Sequence, residues 1–537
     1  MALPIKAAVL IQAIFAFLCV HQSTAGLVKL GNVTLDTPVG KVRGNSLLLT
    51  DNYQDNTASS FYEFLGIPYA KPPVGELRFK PTEQPEPWEG TYDALVMPPA
   101  CPQYAENQFP WYDTLPGQSE DCLYLNVWAP KEAVIGYNDG DETQKRAVKL
   151  YIHGGGWFTG GSSRMGYYEG HGDANDFDIT ISFYKQFIGL VVVTVNYRLG
   201  ALGFLSSGTD DAPGNAGTTN EYGDGSDNNI KLADRLAEAV GCGSSIAENP
   251  KDTVDCLKGV EASRIVQTLA SFSPVFQQPP NVFLPQFGRD HLVPIGDPFE
   301  ILDGTTNYYD KKDALLAFNR DEGSYLLTVN NPDVFGVFGE KDIGIDDVQA
   351  KSMMTKFLEN FPQPDDLAEK LLGDLDTEPT VGNRKRVYQV MGHVNTICPI
   401  VYFANDLVND GYSVYVEEKE IDPPYNPWAK WMGTVHFNNV QLDFLRVLPL
   451  FKVPLVVNGQ SYNLTNEQSE LSFYNKILVA RFMYNEIEDK NNNAEPLFRK
   501  YTSKDRYYSI FYKDTKFKKY SHLGGELCEI LKKYFVK

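Results

Sequence analysis

The stretch Tyr151 to Gly161 reads YIHGGGWFTGG and closes a run of strand-like residues, Ala147 to Ile152, with three consecutive glycines. Only glycine lets three successive backbone amides turn inward with no side chain in the way, so such a loop can offer N–H donors to an anion or a developing oxyanion. The same composition also suits a turn that merely lets one backbone pass close to another. Downstream, Gly189 to Tyr197, GLVVVTVNY, is continuously apolar and β-branched, the pattern of a strand buried on both faces of a mostly parallel sheet. RLGALGFLSSG, Arg198 to Gly208, follows it.

HGGGWFTGG followed by VNYRLGALGFL resembles the type-B carboxylesterases and cholinesterase-like proteins of the α/β-hydrolase superfamily, and the likeness extends over nearly all of the chain beyond residue 25. The resemblance implies an α/β fold with a large, mostly parallel central sheet flanked by helices. It implies a serine esterase chemistry that needs neither cofactor nor metal, with the amides of Gly155 and Gly156 as oxyanion-hole donors. It also implies Glu322, in AFNRDEGSYLL, as triad acid and His436, in WMGTVHFNNVQLDFLRVL, as triad base. Where the family usually has glycine after that histidine, this chain has Phe437. The carboxylate would hold the imidazole tautomer while the imidazole takes the serine proton.

The serine itself is missing. After APGNAG, Ala212 to Gly217, the family would proceed through a helix and a central strand to a G-x-S-x-G elbow. This chain continues TTNEYGDGSDNNIKLADRLAEAVGCG, in which KLADRLAEAVGC already resembles a segment beyond the elbow. By the family's spacing about sixty residues are absent. No G-x-S-x-G occurs in the 537 residues; Ser226 and Ser244 read as loop serines, since neither both follows a β-rich run and precedes a helix. The acidic replacement, Asn220 to Asn229, lacks the composition of a central strand. The expected fold therefore lacks one central strand and its following helix near residues 217–231, leaving backbone groups on the flanking strands unpaired unless they close up. A skipped coding segment or an error in assembling the sequence explains a clean internal gap more simply than adaptation does.

Met1 to Ala25 carries Lys6, an apolar run from Ala7 to Val20, and the small residues Ser23 and Ala25, the pattern of a secretory signal peptide. Residues 26–537 then read as one esterase-like domain with no linker or repeat. Loss of the leader removes Cys19 and leaves six cysteines, which allow fifteen connectivities. The resemblance implies Cys101–Cys122, Cys242–Cys256 and Cys398–Cys528. Sequons at Asn32 and Asn463 suit a glycoprotein in the same oxidising compartment. The formal charge of -21 argues against nucleic acid or anionic membranes as partners. No apolar stretch near the C-terminus reaches spanning length, so a secreted protein without a membrane anchor is expected.

Some features read as structural. The acidic run AVIGYNDGDET reads as an exposed connection, its spacing unlike that of a calcium loop. Thr34 to Val42 reads as a turn between short strands, and Phe61 to Phe79 as a proline-fixed path that is neither helix nor central strand. His153 reads as a brace for the glycine loop. Trp111 stands too early in its loop to receive a quaternary ammonium as in relatives that bind choline esters, so a general small-molecule ester is the expected partner if the chain is active. Two functions stay open: a serine carboxylesterase inactive for want of its nucleophile, or a non-catalytic ligand- or protein-binding relative.

Overall fold

The computed structural model describes residues 26–50, 59–104, 117–162, 190–215, 226–243, 245–272, 313–420, 426–440, 499–506, 508–512 and 516–535, with Phe283 and short pieces between 455 and 483. Residues 1–25, Trp111, His171, Ser244, His291 and Asn463 lie outside them. A two-residue turn, Pro38-Val39, joins β1 (Gly26–Thr37) to β2 (Gly40–Thr50), so these strands pair antiparallel with Thr37 opposite Gly40. They are 12 and 11 residues long rather than short. A side chain at Gly40 would run into the indole of Trp88, which packs over this turn.

β3 (Ser59–Pro68) lies between β2 and β5 (Tyr124–Pro130), antiparallel to both, and β4 (Thr91–Asp93) adds to β2 in parallel. β3 is thus interior, which corrects the reading of Phe61 to Phe79. The prolines behind that reading stand at its last residue and beyond, where a missing N–H costs no ladder bond. β6 (Val148–Ile152) and β7 (Val191–Val195) complete the sheet, in the order β1-β2-β3-β5-β7-β6. β7 is antiparallel to β5 and parallel to β6. Its Val192 and Thr194 are fully buried while Val191, Val193 and Val195 are half-buried, so only one face is sealed.

A second sheet orders its strands β13-β12-β9-β8: β8 (Ala314–Asn319), β9 (Val414–Glu420) and β12 (Tyr508–Tyr512) run parallel, and β13 (Lys516–Tyr520) closes a hairpin with β12. A ribbon of β10 (Leu455–Val457) and β11 (Gln460–Tyr462) stands apart. Among the described residues, the helices of nine residues or more are α1 (Lys131–Asp139), α2 (Ser226–Val240), α3 (Pro250–Lys258), α4 (Ala262–Phe272), α5 (Glu322–Asn330), α6 (Asp347–Phe357), α7 (Pro364–Leu372), α8 (Val381–Gly392), α9 (Cys398–Asn409) and α10 (Gly525–Phe535). One large core packs α5 to α10 against the second sheet, around Phe318, Val387, Met391 and Val401. A smaller one gathers α2, α3 and α4 about Phe204, Leu236 and Leu257.

Two expectations change here. The acidic run after Pro130 is helix α1, closed by Gly140 at φ +71°, where a left-handed residue lets the terminal N–H bond back to the helix carbonyls. Ser226 is the first residue of α2 rather than a loop serine; residues 216–225, which precede it, lie outside the described set.

Among the described residues the strands fall into two separate sheets, where one large central sheet is expected. β6 pairs β7 and β8 pairs β9 in parallel, whereas β1, β2, β3, β5 and β7 pair antiparallel along the first sheet, with only β4 parallel to β2. β6 ends one sheet and β8 the other, and among the described residues no strand joins them. On β6, Val148, Leu150 and Ile152 are each more than half exposed, the face that a following layer would otherwise cover. Disulfides staple the flanking layers: Cys242–Cys256 ties α2 to α3, Cys398–Cys528 ties α9 to α10, and Cys101–Cys122 closes the loop before β5. These are the pairs that the resemblance implies.

Candidate active site

The glycine loop leaves β6 and turns on backbone that only glycine adopts readily. Gly155 has φ +120°, and a Cβ there would lie 2.1 Å from the Thr159 carbonyl oxygen. At Gly160, φ +116°, a Cβ would lie 2.2 Å from His153 Nδ1. Among the described residues, the N–H groups of Gly155 and Gly156 donate to no protein acceptor, so both remain open to an incoming oxygen.

Three side chains hold this loop. His153, 5% exposed, donates from Nδ1 to the Gly154 carbonyl at 2.8 Å and stacks on Tyr197, ring centroids 4.2 Å apart. The Tyr197 hydroxyl donates to the His153 carbonyl at 2.8 Å, and the Gly200 N–H donates to the Trp157 carbonyl at 2.7 Å. Gln103 was not singled out in the sequence. Its Oε1 accepts from Thr159 Oγ1 and the Gly160 N–H, both at 2.8 Å, while its Nε2 donates to the Gly160 carbonyl at 2.6 Å. A glutamine two residues after a disulfide cysteine carries no motif that announces this; its role comes from a partner 57 residues away.

Burial lowers the His153 pKa to about 4, so the imidazole is neutral and its single proton sits on Nδ1, as the bond to Gly154 requires. Its folded pKa lies below the unfolded value near 6.5, so the unfolded chain takes up the proton first as the medium is acidified. Stability present above pH 6.5 is therefore lost as pH falls towards 4, by about 3 kcal/mol for this group. Urea unfolding of wild type and His153→Asn between pH 7 and pH 4 should show the wild type losing that much more. Parallel curves would refute the assignment.

The acid and base come from the second sheet. Glu322 is the first residue of α5, directly after β8; its Oε1 accepts the Asn319 N–H at 2.7 Å, and its Oε2 accepts from His436 Nδ1 at 2.5 Å. Glu322 is 5% exposed and the His436 side chain 37%, so a buried carboxylate holds an imidazole whose Nε2 is left for other chemistry. Gly323 follows because α5 crosses α8 closely: a Cβ there would lie 1.8 Å from the Tyr388 carbonyl oxygen.

Asp321 joins the two loops that bear the pair. Its Oδ2 accepts from the Thr434 N–H at 2.9 Å and from Arg320 Nε at 2.9 Å, and its own N–H donates to the Thr434 carbonyl at 3.1 Å. Gly433, φ +71°, leaves room for that carboxylate, which would stand 2.1 Å from a Cβ. Sequence reasoning passed over Asp321, although its place beside Glu322 was a signal.

Phe437 explains itself only in three dimensions. It adopts φ +79°, a conformation strained for an aromatic residue and natural for the glycine usual in the family. Its ring centroid is 3.9 Å from that of His436 and meets Tyr325 edge to face at 5.8 Å. Its Cε1 lies 4.0 Å from where a Cβ on Gly154 would stand. The ring thus lies between the imidazole and the glycine loop, linking the two halves of the site.

A strand-borne glycine loop with open amides, facing a glutamate–histidine pair on the second sheet, defines an α/β-hydrolase site of the esterase kind. The chain belongs to the carboxylesterase family, whose sequence profile matches residues 31–221 and 223–528. The two matched stretches meet at Tyr222, inside the gap region. The chain is similar to acetylcholinesterase-1 of Trittame loki, 30% identical over 453 residues, covering 71% of this chain and 76% of that one. It is also similar to the acetylcholinesterases of Bungarus fasciatus, 25% identical over 524 residues (85% and 79% covered), and Electrophorus electricus, 26% over 564 residues (87% and 81%). No helix among the described residues is long and apolar enough to cross a membrane.

Proposed function

We propose that this is a secreted carboxylesterase-family protein that holds small carboxylic esters without cleaving them. The observation that carries the reading is the formed Glu322–His436 contact beside a glycine loop with open amides, in a sequence that has no G-x-S-x-G serine. The Gly155 and Gly156 amides would receive the ester carbonyl oxygen, and His436 Nε2 would face the bound ester. With no alkoxide to attack the carbonyl, the ester leaves as it came. Secretion rests on the leader pattern of residues 1–25 and glycosylation on the exposed Asn32 of β1.

Saturation-transfer NMR with phenyl acetate tests the reading. The ester should show contact with the protein, remain intact over hours, and lose the contact signal in Gly155→Val, which fills the donor loop. No transfer in the wild type would end the ligand-binding reading; release of phenol would end the non-catalytic one. The N-terminal residue of protein collected from culture medium tests the leader, with Gly26 expected.

A further inference from the structure

Four aromatic rings stand in a row beside His436. Phe338 meets Trp428 with ring centroids 5.2 Å apart, Trp428 meets Tyr325 edge to face at 5.6 Å, and Tyr325 meets Phe437 edge to face at 5.8 Å. Trp428 is buried, so the row is rooted in the protein, and ring pairs of this geometry attract beyond the area they bury. Phe437 stands at the end nearest the glycine loop. Its ring is tilted 59° to the His436 imidazole with centroids 3.9 Å apart. Its Cε1 is also what a Cβ on Gly154 would meet, at 4.0 Å. The glycine usual in the family at position 437 would leave this interval empty. A phenylalanine at φ +79° keeps its strained backbone because the packing around its ring holds it there.

We propose that Phe437 is the wall that governs access to His436, and that it limits the site to esters with one flank no larger than methyl or methoxy. The size limit rests on the ester-holding reading above; the shielding of the imidazole does not. An ester whose carbonyl oxygen meets the Gly155 and Gly156 amides, and whose carbonyl carbon faces His436 Nε2, lies across the interval that the ring narrows. A carbonyl carbon carries two substituents on opposite sides, the acyl chain and the alkoxy group. One of them can point away from Phe437, and the other must face the ring. Phenyl acetate can turn its methyl to the ring and methyl benzoate its methoxy, so both fit. Phenyl pivalate has tert-butyl on one side and phenoxy on the other, and so has no small side to offer.

The test titrates full-length wild type and Phe437→Gly with these three esters and follows binding by NMR. Wild type should hold phenyl pivalate about tenfold or more weakly than the other two, the order that a misfit of one or two methyl groups carries. Phe437→Gly, which suits a backbone at φ +79°, should hold all three within about threefold of one another. Equal affinities in the wild type, or discrimination unchanged in Phe437→Gly, overturn the proposal. Should Phe437→Gly fail to fold, Phe437→Asn takes its place, because asparagine tolerates positive φ far better than an aromatic residue does. If the wild type holds none of the three esters, the ester-holding reading fails by itself. The ring is then judged by carbethoxylation of His436 with diethyl pyrocarbonate, read by peptide mass spectrometry. Severalfold faster modification in Phe437→Gly supports the ring as the barrier to the imidazole, and equal rates overturn it.

Discussion

Purified full-length protein treated with a fluorophosphonate probe should carry no covalent label, and it should hydrolyse a short-chain aryl ester no faster than buffer. The family mechanism needs a serine oxygen to attack the carbonyl, a histidine to take its proton, and amides to stabilise the oxyanion, one of them belonging to the residue after the serine. The chain keeps Gly155, Gly156, Glu322 and His436 but lacks the elbow, so nucleophile and third donor are lost together. Losing the nucleophile of such a triad costs about a millionfold in turnover, because the remaining members act only through it. A version with a family elbow restored between Gly217 and Lys231 serves as the positive control. Stoichiometric labelling of the unrestored chain would overturn the inactive reading. Ser226 is the first place to map it, since it opens helix α2.

Removing the Cys398–Cys528 bridge should cost more stability than removing any other disulfide. The bond joins positions 130 residues apart and fastens α10 to α9, where both cysteines are buried and the Tyr402 hydroxyl donates to the Cys528 carbonyl. In the chain-entropy account, opening a loop of that size frees the unfolded ensemble by about 5 kcal/mol, against about 3 kcal/mol for the 14-residue separation of Cys242 and Cys256. Urea unfolding of Cys398→Ser/Cys528→Ser and Cys242→Ser/Cys256→Ser double variants measures both. If the short-loop variant loses as much as the long-loop one, the ordering by loop length is wrong and local packing sets the cost.

Much of the fold and site was legible because the chemistry is local. The triple glycine announces a turn free of side chains, and Gly155 and Gly160 do take φ values that other residues rarely tolerate. AFNRDEGSYLL is short enough to carry a strand end, a carboxylate and a helix start in one string, which is the order β8, Glu322, α5. The absence of an elbow is likewise a property of the string. Local reading failed where a segment's neighbours decide its state. β3 is interior because β2 and β5 close on it, and the acidic run after Pro130 is helical although its composition suits a loop.

The sequence by itself determined the family, the order of acid and base, and the want of a G-x-S-x-G serine, since each is written in contiguous residues. Only the tertiary structure decided that Glu322 and His436, 114 residues apart, meet through one hydrogen bond. It alone decided that Asp321 fastens their loops and that Gln103 holds the glycine turn. In the string, Phe437 is a departure from glycine; in the fold it is a strained residue whose ring bridges imidazole and glycine loop. Arg198 looks like any arginine after a strand until the fold buries it with, among the described residues, no carboxylate paired to it. The reason is common to all of them: a charge or a strained backbone has its energy set by what surrounds it, and those surroundings are assembled from residues far apart in the chain.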